Sequence, residues 1–265
     1  MSGRLIVIGL GPGEAAYMTA QAVEALAQAD WFYGYGPYVD RVVAHDDPRR
    51  VVSDNREEGA RAREALTLAA RGECVAMLSG GDPGVFAMAA AVCEQIERGP
   101  EAWRALTLEI VPGVSAMLAA AAACGAPLGH DFAAISLSDN LKPWALIERR
   151  LLACAGAGLV MAFYNPISKA RPWQLGVALD RLREVLALGT LVVFARAAGR
   201  PDEAIVTTTL GEACAEQADM ATLVIIGSEE TRRVERPGQA PLIYTPRFAS
   251  GCDPEGSGPK GRAGR

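Results

Sequence analysis

Gly9-Leu10-Gly11-Pro12-Gly13 stands where a short apolar run ends, and glycines at the carboxyl end of a strand let a ligand approach the backbone closely. The spacing departs from the dinucleotide fingerprint. Glu14 replaces the last glycine of G-x-G-x-x-G, and Pro12 removes an amide that a pyrophosphate would use. Taken alone, the segment reads equally as a ligand loop or as a tight strand-to-loop turn. Gly80-Gly81-Asp82-Pro83-Gly84 follows a second run of strand character, so two flexible turns open on one sheet edge and frame a crevice. Asp82 there suits a hydrogen-bond acceptor for a ribose, a counter-charge to a cationic ligand, or an ordinary helix cap. Only two histidines exist, His45 and His130, far apart in sequence, which weakens a Ser-His-Asp triad or a His-based metal cluster. The six cysteines hold no C-x-x-C pair, so reduced thiols of a cytoplasmic protein are expected rather than a disulfide framework or zinc, and no metal ligand is assigned.

These turns need strands and helices to hold them. Short β-branched runs at Leu5–Ile8, Trp31–Tyr33, Arg50–Val52, Val75–Leu78 and Leu108–Val111 alternate with longer segments of helical period, the pattern of parallel strands with crossover helices. A helix is expected from Asp54, with Glu57 at the capping-box position, and another after Gly84 with Phe86, Ala89, Ala90, Cys93 and Ile96 as its buried stripe. Pro112-Gly113 precedes an alanine-rich helix that Gly125 stops, and marks a domain boundary. A second α/β series follows, with strands at Ala133–Leu137, Leu159–Phe163, Leu191–Phe194, Ala204–Thr207 and Leu223–Ile226. Its helices start near Trp144, Trp173 and Leu210, the last opened by Thr209-x-x-Glu212. The expected domains are residues 1–112 and 113–246. Residues 247–265 carry Gly, Pro, Ser and basic side chains without periodicity and are expected to be a disordered tail.

The chain has 265 residues, half of them hydrophobic and 22% charged, enough for two α/β domains with real cores. A formal net charge of −5 gives no general attraction to a phosphate backbone, so no nucleic-acid partner is expected. No apolar run is long enough for a bilayer, so no membrane partner is expected, and the cytoplasm is the expected location.

Three motifs in order, the first-strand Gly-Leu-Gly-Pro-Gly, Leu78-Ser79-Gly80-Gly81-Asp82-Pro83-Gly84-Val85-Phe86 and Val111-Pro112-Gly113-Val114-Ser115-Ala116, resemble the tetrapyrrole (corrin/porphyrin) methylase family. The likeness runs across roughly residues 4 to 230, and three motifs together are far more specific than one. Tyr33 to Arg41, Ser53 to Glu57, Phe163 to Ser168 and Ala195 to Arg200 resemble the branch of that family that methylates a corrin precursor at C17 and contracts its macrocycle in cobalamin synthesis. The resemblance implies two α/β domains, with the methyl donor S-adenosyl-L-methionine in the cleft between them and S-adenosyl-L-homocysteine as product. It implies a polycarboxylate tetrapyrrole substrate, a homodimer, and hand-over to neighbouring enzymes of the cobalamin pathway. Other methylases of the same fold, acting on another tetrapyrrole carbon, diphthine or ribosomal RNA, remain alternatives. So does a carrier of corrinoid intermediates.

By that resemblance Pro12, Gly80, Gly81, Asp82, Val85, Ser115 and Ala116 contact the donor, with Asn165, Ala197 and Thr222 from the second domain. A sulfonium methyl is already activated, so in-line alignment and exclusion of water carry the transfer, a proximity effect of roughly 7–11 kcal/mol. Ring contraction needs proton transfers, for which Tyr35, Tyr38, Asp40, Asp139 and Lys142 are candidates. A polycarboxylate substrate meeting a net-negative protein needs local cations. Arg41, Lys169, Arg171, Arg196 and Arg200, in loops and at strand ends, are assigned to it.

Overall fold

The computed structural model describes residues 3–54, 57–168 and 170–249, so Lys169, Asn55, Arg56 and residues 250–265 of the expected tail lie outside the described residues. The chain forms two compact units, one of residues up to Ala120 together with 197–204, the other of 121–196 and 205 onward. The division therefore falls inside the alanine-rich helix rather than at Pro112-Gly113, and a short later segment joins the first unit.

In the first unit the elements run β1 (Arg4–Gly9), α1 (Ala20–Ala27), β2 (Trp31–Tyr35), α2 (Gly36–Val39), β3 (Arg50–Ser53), α3 (Glu58–Ala69), β4 (Cys74–Ser79), α4 (Met88–Arg98), α5 (Glu101–Arg104) and β5 (Thr107–Val111). The sheet order is β3-β2-β4-β1-β5, and every pairing is parallel. Such a sheet is covered on both faces, which is why β1 and β4 read as unbroken apolar runs. Leu5, Val7, Val75 and Met77 pack with Ala62, Leu66 and Val92 on one face, while Ile6, Ile8, Ala76 and Leu78 pack with Ala22 and Ala25 on the other. Each fully buried large aliphatic side chain contributes about 1.5–3 kcal/mol.

α1 starts where the Thr19 hydroxyl accepts the Ala22 amide at 3.1 Å. α3 begins at Glu58, later than expected from Asp54, although Asp54 N–H does donate to Glu57 Oε2 at 3.0 Å. Buried Arg61 ties this turn down by donating to Ser53 Oγ at 2.7 Å and to the Asp54 carbonyl at 2.6 Å. In α4 the buried stripe is Met88, Ala89 and Val92; Phe86 lies before the helix at φ +52 and is exposed, and Cys93 faces solvent.

α6 (Ala116–Cys124) leads into the second unit: β6 (Gly125–Ala126), β7 (Phe132–Ser136), α7 (Trp144–Gly156), β8 (Val160–Tyr164), α8 (Gln174–Arg183), β9 (Leu191–Arg196), β10 (Ala204–Thr209), β11 (Thr222–Ile226), β12 (Arg232–Arg236) and β13 (Gln239–Tyr244). Its main sheet has the order β10-β9-β11-β8-β7, with β7 parallel to β8 and β11 antiparallel to both β8 and β9. Phe163, Phe194, Leu151 and Leu175 centre its core. The helix expected from Leu210 does not form. Arg183 Nε donates to the Leu210 carbonyl at 3.0 Å and Cys214 N–H donates to Gln217 Oε1 at 2.8 Å, so both ends of the next helical bond are taken elsewhere. A three-stranded sheet of order β12-β13-β6, whose strands the sequence pattern does not disclose, completes the unit. Among the described residues no helix is long and apolar enough to cross a membrane.

Candidate active site

β1, β4 and β5 deliver the three glycine-bearing loops to one edge, the carboxyl ends of the first sheet. The first two loops bond to each other in both directions. Gly11 N–H donates to the Gly81 carbonyl at 3.2 Å, and Gly81 N–H to the Gly11 carbonyl at 2.9 Å, with both residues at positive φ. The third loop lies against them so closely that a Cβ on Gly9 would stand 2.7 Å from Gly113 N and 2.8 Å from the Gly81 carbonyl oxygen. Asp82 bolts the edge together: its Oδ1 accepts the Gly84 amide at 2.8 Å and its Oδ2 the Gly113 amide at 3.1 Å. Ser115 is buried, and its carbonyl accepts the Leu118 and Ala119 amides that open α6. Pro12, Gly80, Gly81, Asp82, Val85, Ser115 and Ala116 thus lie in or beside the three loops at this one edge.

Arg41 does something its sequence context did not disclose. Its guanidinium donates to the carbonyls of Gly11 at 3.0 Å and Leu10 at 2.7 Å, and also to that of Gly13, so it braces the first loop from behind. Burial and the neighbouring Arg200 charge pull its pKa below the ordinary arginine value. Arg200 Nε donates to the Pro12 carbonyl at 3.1 Å, bracing the same loop from the 197–204 segment. Tyr38 packs edge-on to Tyr35, with ring centroids 5.4 Å apart, and fills the space over Gly80, where an added Cβ would lie 2.6 Å from the ring. Burial raises the Tyr38 phenol above its usual pKa, so the hydroxyl keeps its proton at neutral pH. Asp40 turns away to Arg50, with His45 Nδ1 at 3.9 Å, and does not join Tyr38 and Arg41.

In the second sheet the carboxyl ends of β7, β8 and β9 share an edge with the start of antiparallel β11. Asp139, in the loop after β7, accepts from Arg171 Nη1 at 2.8 Å and from Gln174 Nε2 at 3.2 Å, so a proton-transfer candidate and a substrate candidate form an ion pair. Buried Gln174 carries no sequence signal that would single it out. Lys142, in the same loop, has its pKa lowered by burial and by the Arg150 charge. Asn165 follows β8 at φ +51 and donates its amide to Ser136 Oγ at 3.0 Å; Ala197 follows β9, also at φ +51. Left-handed backbone at non-glycine residues is costly and tends to cluster at functional sites. Arg196 Nε donates to Asp219 Oδ2 at 2.8 Å, and the Thr222 hydroxyl donates to Asp219 Oδ1 at 2.7 Å. Asp219 is a joint between two candidates that the sequence presents separately.

The family model for tetrapyrrole (corrin/porphyrin) methylases matches residues 4–214, spanning the three glycine loops and most of the second sheet. The chain belongs to the tetrapyrrole methylase family. Among relatives of this methylase, a precorrin-3B C(17)-methyltransferase of Sinorhizobium sp is 64% identical over 252 residues, 95% of this chain and 99% of that protein. A probable cobalt-factor III C(17)-methyltransferase of Salmonella typhimurium is 40% identical over 246 residues, 92% of this chain and 98% of that protein. The crystal structure of the methyltransferase CobJ superposes with a TM-score of 0.88 at 48% identity, covering 92% of this chain and all of that one.

Proposed function

We propose that this methylase transfers a methyl group from S-adenosyl-L-methionine to C17 of precorrin-3B, or of a closely related intermediate such as cobalt-factor III, and couples the transfer to contraction of the macrocycle in cobalamin biosynthesis. The observation that carries this reading is the near end-to-end correspondence, at 64% identity, with the Sinorhizobium enzyme. The first unit suits the donor. Its glycine edge leaves no room for a Cβ at Gly9, Gly11 or Gly113, and Asp82 and Arg41 hold the loops in place before any ligand arrives. Pro12, Gly80, Gly81, Asp82, Val85, Ser115 and Ala116, with Asn165, Ala197 and Thr222, are the residues that would hold the donor.

Bound there, the donor supplies a sulfonium methyl with a neutral thioether as leaving group. The protein's task is then to align an electron-rich ring carbon and to exclude water. Tyr38 holds a proton at neutral pH beside the glycine edge, which suits it to the proton transfers of contraction; Tyr35, Asp139 and Lys142 are further candidates. Under this reading Arg171 and Arg196, which pair with Asp139 and Asp219, are the cations assigned to the substrate carboxylates. Under the same reading the enzyme works in the cytoplasm as a homodimer and passes its product to the next enzyme of the pathway. Incubation with methyl-labelled donor and either precorrin-3B or cobalt-factor III, followed by mass spectrometry, tests the proposal. One labelled methyl on a tetrapyrrole is expected, and donor binding without transfer to either acceptor would refute it.

A further inference from the structure

Beside the first glycine loop lies a cavity of about 350 Å³, walled on its inner side by Gly13, Tyr38 and Arg41 and at its rim by Glu14, Arg200 and Asp202. We propose that this cavity seats a carboxylate-bearing arm of the tetrapyrrole, with Arg200 as its ion-pairing group, the Tyr38 hydroxyl as a second donor and Arg41 as the positioning residue behind them. The proposal rests on the tetrapyrrole reading above and assigns that substrate a specific anchor.

Half-buried Arg41 lies close enough to the exposed Arg200 at the cavity's rim to feel its charge, and two cations facing one cavity favour an anion between them. Arg41 satisfies its donors on neutral carbonyls, which leaves its charge uncompensated. Arg200 uses only Nε, on the Pro12 carbonyl, and among the described residues its Nη groups have no protein partner. The Tyr38 hydroxyl likewise has no hydrogen-bond partner among the described residues, although its ring is largely buried. A carboxylate in the cavity would accept the guanidinium fork and the phenol together and would neutralise the repulsion. Glu14 and Asp202 also carry negative charge, but both are exposed at the rim. The cavity shares Arg41 and Gly13 with the first glycine loop and Tyr38 with the second, so an arm anchored here holds the macrocycle against the edge assigned to the donor.

The same guanidinium chemistry would accept the carboxylate of the donor's methionine, and the experiment separates the two sources. Full-length wild type, Arg200→Gln, Arg200→Lys and Glu14→Gln would be titrated with uroporphyrin III, an octacarboxylate probe, by fluorescence, and with S-adenosyl-L-homocysteine by calorimetry. The expected result is a uroporphyrin Kd raised about tenfold or more in Arg200→Gln, less in Arg200→Lys, and lowered in Glu14→Gln, with the change in donor-product affinity from the lost brace on the Pro12 carbonyl several-fold smaller than the uroporphyrin change. The Arg200→Gln effect should shrink at high salt. An unchanged uroporphyrin Kd in Arg200→Gln, no uroporphyrin binding by wild type, or a loss confined to S-adenosyl-L-homocysteine would overturn the assignment. Because the readout is binding, a wild type that shows this pattern yet transfers no methyl refutes the proposed activity and leaves the anchor standing.

Discussion

Asp82 holds two loops with one carboxylate, Oδ1 on the Gly84 amide and Oδ2 on the Gly113 amide. The sequence left open whether it served a ribose or capped a turn, and the geometry gives it a bracing role in which both oxygens already accept. Asp82→Ala removes two charge-assisted bonds and is expected to lower the unfolding free energy by about 2–3 kcal/mol. It should also weaken S-adenosyl-L-homocysteine about tenfold, because the third loop loses its tether. Urea midpoints and calorimetry check both, and unchanged donor-product affinity would separate Asp82 from the site. Tyr38 makes a second prediction at this scale. Burial raises its pKa in the folded protein, so the neutral phenol is the favoured form. Its contribution is complete below the unfolded value of about 10 and is lost as pH rises through the folded value. Thermal midpoints should therefore fall above about pH 10, and Tyr38→Phe should reduce that fall. An identical alkaline profile for the variant would assign the loss to other groups, such as Cys124, whose thiol burial raises to about 11.

At the scale of elements, the parallel sheet of the first unit sets how close its loops can come. β1 has β4 on one side and β5 on the other, and the loops that follow all three strands meet at a single edge. Gly113 marks the closest approach among these three loops, since a Cβ there would run into the Gly81 carbonyl oxygen and stand 2.9 Å from Gly9 C. Backbone atoms cannot rotate aside as side chains can. Gly113→Ala is therefore expected to displace the third loop, costing about 1–3 kcal/mol of stability and most of the donor-product affinity while leaving the secondary structure intact. Circular dichroism with calorimetry measures this, and wild-type affinity would mean that the close approach has no functional role. The missing helix after β10 shows the opposite limit. Thr209-x-x-Glu212 is a sound start signal, and one turn does form, with the Ala213 amide on the Thr209 carbonyl at 2.8 Å. The start signal is overruled by Arg183, which lies in α8, remote in sequence, and claims the Leu210 carbonyl.

At the scale of the whole molecule, the chain places its candidate residues at two carboxyl edges, one in each unit, and uses residues 197–204 to complete the first. That segment is flanked by β9 and β10 of the second sheet, yet the Glu14 amide donates to the Gly199 carbonyl at 2.9 Å and Arg200 reaches Pro12. Gly199 sits at φ +77, and a Cβ there would meet Tyr17 at 3.0 Å and Pro12 at 3.1 Å. Gly199→Ala should accordingly loosen this clasp. Hydrogen exchange at the Glu14 amide is expected to quicken about tenfold, with the central strands unaffected. Equal protection in the variant would show that 197–204 does not hold the first loop.

The sequence by itself determined the strands of both main sheets to within a residue or two, the three loops and the family they resemble. These features are local: β-branched runs, glycines at strand ends and short ordered motifs are written in consecutive residues. Tertiary structure alone decided that Asp82 and Arg41 brace loops, that Asp139 pairs with Arg171, and that Asp219 joins Arg196 to Thr222. It also decided the β12-β13-β6 sheet and the direction of β11. Each depends on partners brought together by folding, and a side chain's hydrogen bonds go to whichever unsatisfied group lies nearest in space, which neighbouring residues in the chain do not specify.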